Sequence, residues 1–177
     1  SGRRKFFYRQ GSFFILYGNY RRKGWTFSLG PDRWLFLSAL ITYVTYSAIK
    51  IDFLQSTNPN SFWVYLNTTL SVIGTLCYLY TATCNAGVLV SNEDNSIENG
   101  DVLEKKGWSY CQICQLYRPV GATHCGDCGV CFERRDHHCS FMGQCVAKNN
   151  TITFWIACFC IIGSVMTDQF YLLYTVK

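Results

Sequence analysis

Cys111-Gln112-Ile113-Cys114, His124-Cys125-Gly126-Asp127-Cys128-Gly129-Val130-Cys131, Asp136-His137-His138-Cys139 and Cys145 fall within 35 residues. That stretch holds seven of the chain's eleven cysteines and all three histidines. Thiolate and imidazole are the ligands zinc prefers, and Cys-x2-Cys pairs place two donors on one ion. The interleaved histidines argue against a disulfide ladder, which has no use for imidazole. Ten donors are offered, and two tetrahedral ions would use eight. A thiol and an imidazole are then left over, the pairing of a nucleophile with its base. Spacing alone leaves sequential and interleaved ligand pairing both open.

Outside this stretch the composition is that of membrane spans joined to one polar module. Apolar residues make up 49% of the 177 and charged residues only 15%, with aromatics at 17%. The net charge of +5 is spread along the flanks of apolar runs. Anionic headgroups or a phosphate-bearing ligand fit that pattern better than nucleic acid does. The chain begins at Ser1 and stops at Lys177 after an apolar run, which suggests a piece of a longer protein.

Residues 1–32 read as a basic arm, with Arg3, Arg4, Lys5, Arg9, Arg21, Arg22 and Lys23 suited to headgroup contact beside a span. The early apolar cluster from Phe13 to Tyr17 is too short for a signal peptide. Residues 33–51 form a first uncharged run, closed by Lys50 and Asp52. About 18 residues at ~1.5 Å each reach ~27 Å, enough to cross a bilayer core. Residues 52–61 read as a short lumenal loop and 62–84 as the second span. Asn67, Thr68, Thr69 and Ser71 in that span suit a face turned to another helix. Residues 85–108 read as a flexible cytosolic linker, 109–150 as the metal module and 151–174 as the third span. Asp168 lies inside that last span, about 25 Å along, deep enough to reach the far headgroups. Seven basic residues precede Arg33, and six lie between the second and third spans, from Lys105 to Lys148. The positive-inside rule therefore puts the arm and the metal module in the cytosol.

The cysteine ladder ending in Asp136-His137-His138-Cys139, with Arg118-Pro119, Asn150 and Phe154 in place, resembles the cysteine-rich domain of the DHHC protein S-acyltransferases. The resemblance is strong from Cys111 to Phe154. It implies an α-helical integral membrane protein with a small cytosolic two-zinc domain between its second and third spans. Three spans are present here and four are expected in the family. It also implies interleaved metal ligation: Cys111, Cys114, His124 and Cys131 on one zinc, and Cys125, Cys128, His138 and Cys145 on the other. By the same resemblance, palmitate moves from palmitoyl-CoA to protein thiols through an S-acyl enzyme. The partners implied are the bilayer, acyl-CoA and proteins with juxtamembrane cysteines. Several positions depart from the family. Ser140-Phe141 stands where Pro-Trp is usual, Gly143-Gln144 replaces an asparagine pair, Ala147 a glycine, and Asn85-Ala86-Gly87 takes the place of Asp-Pro-Gly.

The residues themselves give His137 and Cys139 a shared face, being two apart in an extended segment. His137 can deprotonate Cys139, and Asp136 can orient the imidazole. Nearby Arg134 and Arg135 would favour the thiolate. Arg118, Arg134, Arg135 and Lys148 are candidates for the CoA phosphates. The short spans fit the thinner membranes of the Golgi or endoplasmic reticulum. A membrane-tethered zinc scaffold without chemistry is the competing reading. A RING-type ligase would need a Cys-x-His-x2-Cys centre that the ladder lacks.

Overall fold

The computed structural model describes residues 5–18, 27–57 and 62–175. Three of its helices are long and apolar enough to cross a membrane: α1, Arg33–Thr57; α2, Phe62–Thr83; and the C-terminal Thr151–Thr175. The rest is a set of short antiparallel strands gathered at one end of these helices.

The N-terminal segment is a folded part of the metal module. Strands β1 (Lys5–Gln10), β2 (Phe13–Gly18) and β3 (Phe27–Leu29) form an antiparallel sheet in that order. Alternation along β2 sends Phe13 and Ile15 inward, both fully buried against Cys125, Cys128, Val130 and Phe132. The Ser12 amide donates to the Cys128 carbonyl at 2.9 Å. The headgroup reading rested on Arg3, Arg4, Arg21, Arg22 and Lys23, which lie outside the described residues, as do the side chains of Lys5 and Arg9.

Helix α1 runs to Thr57, six residues past the expected end of the first span, so residues 52–57 are helical rather than loop. The extension is held by Leu54, buried with Val64 and Tyr171, and by a 3.0 Å bond between Thr57 Oγ1 and the Tyr171 hydroxyl. Lys50 does not close the helix. Its ammonium donates to Ser164 Oγ at 2.6 Å and to the Ser164 carbonyl at 3.1 Å, a partnered charge of the kind spans tolerate. Asn67 on α2 is fully buried and accepts from Thr167 Oγ1 at 2.9 Å. The side chain of Asp168 lies outside the described residues.

Residues 85–108 are ordered rather than a free linker. Asn85 Oδ1 accepts from the Gly87 and Val88 amides, both at 2.9 Å, a side-chain-closed turn. It delivers β4 (Val88–Leu89) to the metal module. Helix α3 (Gly100–Lys105) follows and buries Leu103. The module contains β5 (Ser109–Cys111), β6 (Leu116–Arg118), β7 (Thr123–Cys125), β8 (Val130–Phe132), β9 (His137–Cys139) and β10 (Gln144–Val146). Strand order is β4-β8-β7 in one sheet, with β5-β6 and β9-β10 as separate hairpins. Helix α4 (Thr151–Thr175) leaves the module directly.

Two buried amides fasten the module to α2. Gln144 Nε2 donates to the carbonyls of Thr81 at 2.7 Å and Cys84 at 3.1 Å. Asn150 Nδ2 donates to the Thr81 and Cys145 carbonyls, each at 3.1 Å. The end of α2 has no intrahelical donors for its last carbonyls, and these side chains supply them.

Candidate metal centres and the thiol beside them

The pairs Cys111–Cys114 and Cys125–Cys128 form the same tight turn. The Gln115 amide donates to the Cys111 carbonyl at 2.8 Å and the Gly129 amide to the Cys125 carbonyl at 2.9 Å. The residue after each second cysteine is left-handed, Gln115 at φ 53° and Gly129 at φ 68°. Glycine takes that conformation freely and glutamine against a steric cost. The turn points both thiols of a pair into one space.

Two such spaces exist among the described residues, and both are interleaved. Cys111, Cys114, His124 and Cys131 form one group, and Cys125, Cys128, His138 and Cys145 the other, with donor atoms in each within 4.8 Å of one another. Either group could hold a metal ion. Antiparallel pairing explains the interleaving. Register sets His124 opposite Cys131 across β7-β8 and His138 opposite Cys145 across β9-β10.

The geometry fits zinc. Bonds of ~2.3 Å to sulfur and ~2.0 Å to nitrogen put tetrahedral S···S edges near 3.8 Å and S···N edges near about 3.5 Å. His124 Nδ1 lies 3.3 Å from Cys114 Sγ and 3.7 Å from Cys131 Sγ. His138 Nδ1 lies 3.6, 3.4 and 3.6 Å from the sulfurs of Cys125, Cys128 and Cys145, and Cys128 and Cys145 are 3.7 Å apart. Three sulfurs and one imidazole also form the donor set of structural zinc. Zinc bound there would supply folding energy to a module with little core of its own.

Behind the ligands stand polar partners. Cys128 Sγ 3.7 Å away, with Arg135 and His138, holds the Cys145 thiol below its usual range against the effect of burial. Arg135 Nε donates to Cys145 Sγ at 3.3 Å. Asp32 Oδ2 sits 2.8 Å from His138 Nε2. The bond from His138 holds the Asp32 carboxyl below its usual range. Burial alone would lower His138, but the bonds to Asp32 and Cys145 raise it on balance.

Cys139 belongs to neither group. Side chains alternate along β9, so His138 faces the group of Cys125, Cys128 and Cys145, while His137 and Cys139 share the other face. There Cys139 packs in an apolar cluster with Phe36, Tyr78, Met142 and Phe154. It forms part of the wall of a cavity of about 380 Å³ with Ala39 and Tyr43 of α1, Tyr78 of α2, and Phe154 and Cys158 of α4. His137 meets Phe154 edge-on at 5.3 Å, so one aromatic ring adjoins both the imidazole and the cavity. Asp136 Oδ2 lies 3.5 Å from His137 Nδ1.

The four basic candidates are dispersed. Lys148 pairs with Glu133, Arg135 is committed to Cys145, Arg134 is exposed at φ 46°, and Arg118 is half-buried on β6 with its Nε unbonded. Sequence reasoning missed Asp32, Gln144 and Tyr78. Asp32 could have been suspected, since a carboxylate after Gly30-Pro31 at a helix start is either a cap or a partner for something outside the helix.

The fold and the site together define a helical protein of the membrane-spanning kind, carrying a paired Cys3His module with a free thiol beside it. Residues 104–177 match the DHHC palmitoyltransferase family model. It is 46% identical over 61 residues to "Probable protein S-acyltransferase 6" of Arabidopsis thaliana, covering 34% of this chain and 14% of that protein. It is 41% identical over 69 residues to "Putative ZDHHC-type palmitoyltransferase 1" of Dictyostelium discoideum, covering 32% of this chain and 16% of the relative. It is 47% identical over 58 residues to "Palmitoyltransferase ZDHHC9" of Mus musculus, covering 33% and 15%. The matched stretch therefore spans about a seventh of these relatives' lengths.

Proposed function

We propose that this chain is the core of a protein S-acyltransferase that moves palmitate from palmitoyl-CoA to cysteine thiols of other proteins through an acyl group on Cys139. The observation that carries the reading is the position of Cys139. It is the one DHHC-module thiol outside both metal groups, and it opens onto an apolar cavity between the three long helices. A fatty chain can lie there while CoA stays in water.

In the first step the Cys139 thiolate attacks the thioester carbonyl carbon of palmitoyl-CoA. The carbon–sulfur bond to CoA breaks and CoA leaves with a proton. In the second step a protein thiol attacks the Cys139 thioester, and Cys139 regains its proton as the acyl group departs. His137 relays these protons, oriented by Asp136. Two zinc ions hold the module, one on Cys111, Cys114, His124 and Cys131, the other on Cys125, Cys128, His138 and Cys145. Arg118 and Arg134 remain the most available contacts for CoA phosphates, with Arg135 and Lys148 engaged elsewhere.

The distribution of basic residues supports a cytosolic metal module, and the family resemblance supports a fourth span. Juxtamembrane cysteines of neighbouring proteins are the reachable substrates, because the nucleophile sits close to where α4 begins.

The competing reading is a zinc scaffold without chemistry, favoured by Ser140-Phe141 beside Cys139. One experiment separates the two. The protein is incubated with palmitoyl-CoA and its intact mass measured with and without neutral hydroxylamine. A hydroxylamine-labile adduct of one palmitoyl group is expected. No adduct on a protein that retains two zinc ions selects the scaffold.

A further inference from the structure

His124 and His138 both turn Nδ1 to their metal group, but they differ behind the ring. His138 Nε2 lies 2.8 Å from Asp32 Oδ2. Among the described residues, no carboxylate pairs with His124. Asp32 is 106 positions away in sequence and belongs to the turn that opens α1.

Backbone packing delivers that carboxylate. A Cβ at Gly30 would sit 1.8 Å from the Gly143 carbonyl oxygen, and one at Gly143 would meet Phe36 Cβ at 3.2 Å. Only glycine lets the two chains approach so closely. The turn before α1 therefore rests on the turn between β9 and β10. Ser140 joins His138 in holding the Asp32 carboxyl below its usual range, so one carboxylate acts on the residue on each side of Cys139. Helix capping does not account for it. The Asp32 carbonyl accepts from the Phe36 amide at 3.0 Å, while the carboxylate points to β9 and the residue after it.

We propose that Asp32 is the outer carboxylate of the second metal site and a positioning residue for Cys139, coupling the start of α1 to the nucleophile's strand. The inference rests on the metal and acyl-transfer reading above. A histidine that ligates through Nδ1 must carry its proton on Nε2. A carboxylate accepting that proton fixes the tautomer and the ring plane and strengthens the ligand. Losing such a partner typically costs roughly 10–100-fold in metal affinity.

The test uses the full chain in lipid nanodiscs, as wild type and as Asp32→Ala, Asp32→Asn and Asp32→Glu. Zinc per protein is counted by elemental mass spectrometry, and zinc release to a chromogenic chelator is timed. Wild type is expected to hold two ions. In Asp32→Ala one of the two should leave roughly 10–100-fold faster, while the other, on the His124 site, keeps its wild-type rate. Asp32→Asn should fall between, and Asp32→Glu should recover slower release. Autoacylation with zinc in excess should show a lower kcat at unchanged KM for palmitoyl-CoA in Asp32→Ala. Ser140→Ala is the second probe, with the same kcat loss in smaller degree and unaltered zinc release. Equal release of both ions in all Asp32 variants would overturn the proposal and leave the metal sites standing. A wild-type protein that takes up no zinc overturns the metal reading itself.

Discussion

The Tyr78 hydroxyl on α2 donates to the backbone carbonyl of Phe141, two residues after Cys139. The Tyr78 ring stacks on Phe36 of α1 at 5.5 Å. A helix long and apolar enough to cross a membrane thus holds the short turn that follows Cys139, and a second such helix holds the first. Tyr78→Phe keeps the stack and removes the bond. A lost neutral hydrogen bond is worth about 1 kcal/mol, so autoacylation should fall several-fold while zinc content stays at the wild-type value. A variant that autoacylates at the wild-type rate would show that the turn is set without α2.

Cys139→Ser tests the nucleophile directly. The thiol ligates neither group, so both zinc ions should remain while the hydroxylamine-labile palmitoyl adduct disappears from the mass spectrum. An adduct persisting in the variant would move the chemistry to another of the free cysteines.

The cavity beside Cys139 is lined on the α1 side by Tyr43 and on the α4 side by Cys158. Cys158→Phe fills that space. Autoacylation from palmitoyl-CoA should drop by roughly tenfold relative to octanoyl-CoA, the equivalent of about 1.4 kcal/mol. Equal loss with both donors would mean that the fatty chain lies elsewhere.

Gln144 is fully buried, with two hydrogen bonds to the end of α2. Gln144→Ala leaves the Cys84 carbonyl in a dry site, while the Thr81 carbonyl keeps Asn150, and should destabilise the protein by roughly 1–3 kcal/mol. The readout is the thermal midpoint in detergent by intrinsic fluorescence. An unchanged midpoint would falsify the role assigned to this amide.

Removal of metal should dismantle the module and spare the spans. The strands between Ser109 and Val146 bury mostly cysteine and small apolar residues. Chelation should therefore abolish protease resistance between α3 and α4, while the helical circular-dichroism signal of α1, α2 and α4 is retained. A module still resistant after both ions leave would show that packing alone suffices.

Much of this architecture is written locally. Apolar runs long enough to cross a bilayer announce themselves by composition, because the hydrocarbon core admits only helices there. The cysteine and histidine spacing announces metal ligands, because a Cys-x2-Cys turn closes within four residues. What spacing left open was which donors share an ion. The register of β7 on β8 and of β9 on β10 decides that, since it sets His124 opposite Cys131 and His138 opposite Cys145. Register follows from the turn between the strands and from the face they bury together, neither of which the cysteine spacing alone gives. The N-terminal arm reads as a headgroup-contacting segment because of its seven basic residues, yet Phe13 and Ile15 are buried against the metal module. Residues 85–108 looked flexible because their polarity hides the Asn85 turn and the β4 pairing. Asp32 and Tyr78 acquire their roles only from contacts 106 and 63 residues away. The sequence by itself thus determined the three long apolar runs, the candidate metal donors and the spare thiol, which follow from residue chemistry and short spacing. Tertiary structure alone decided the ligand partition, the docking of the arm and the surroundings of Cys139, because those depend on which distant surfaces meet.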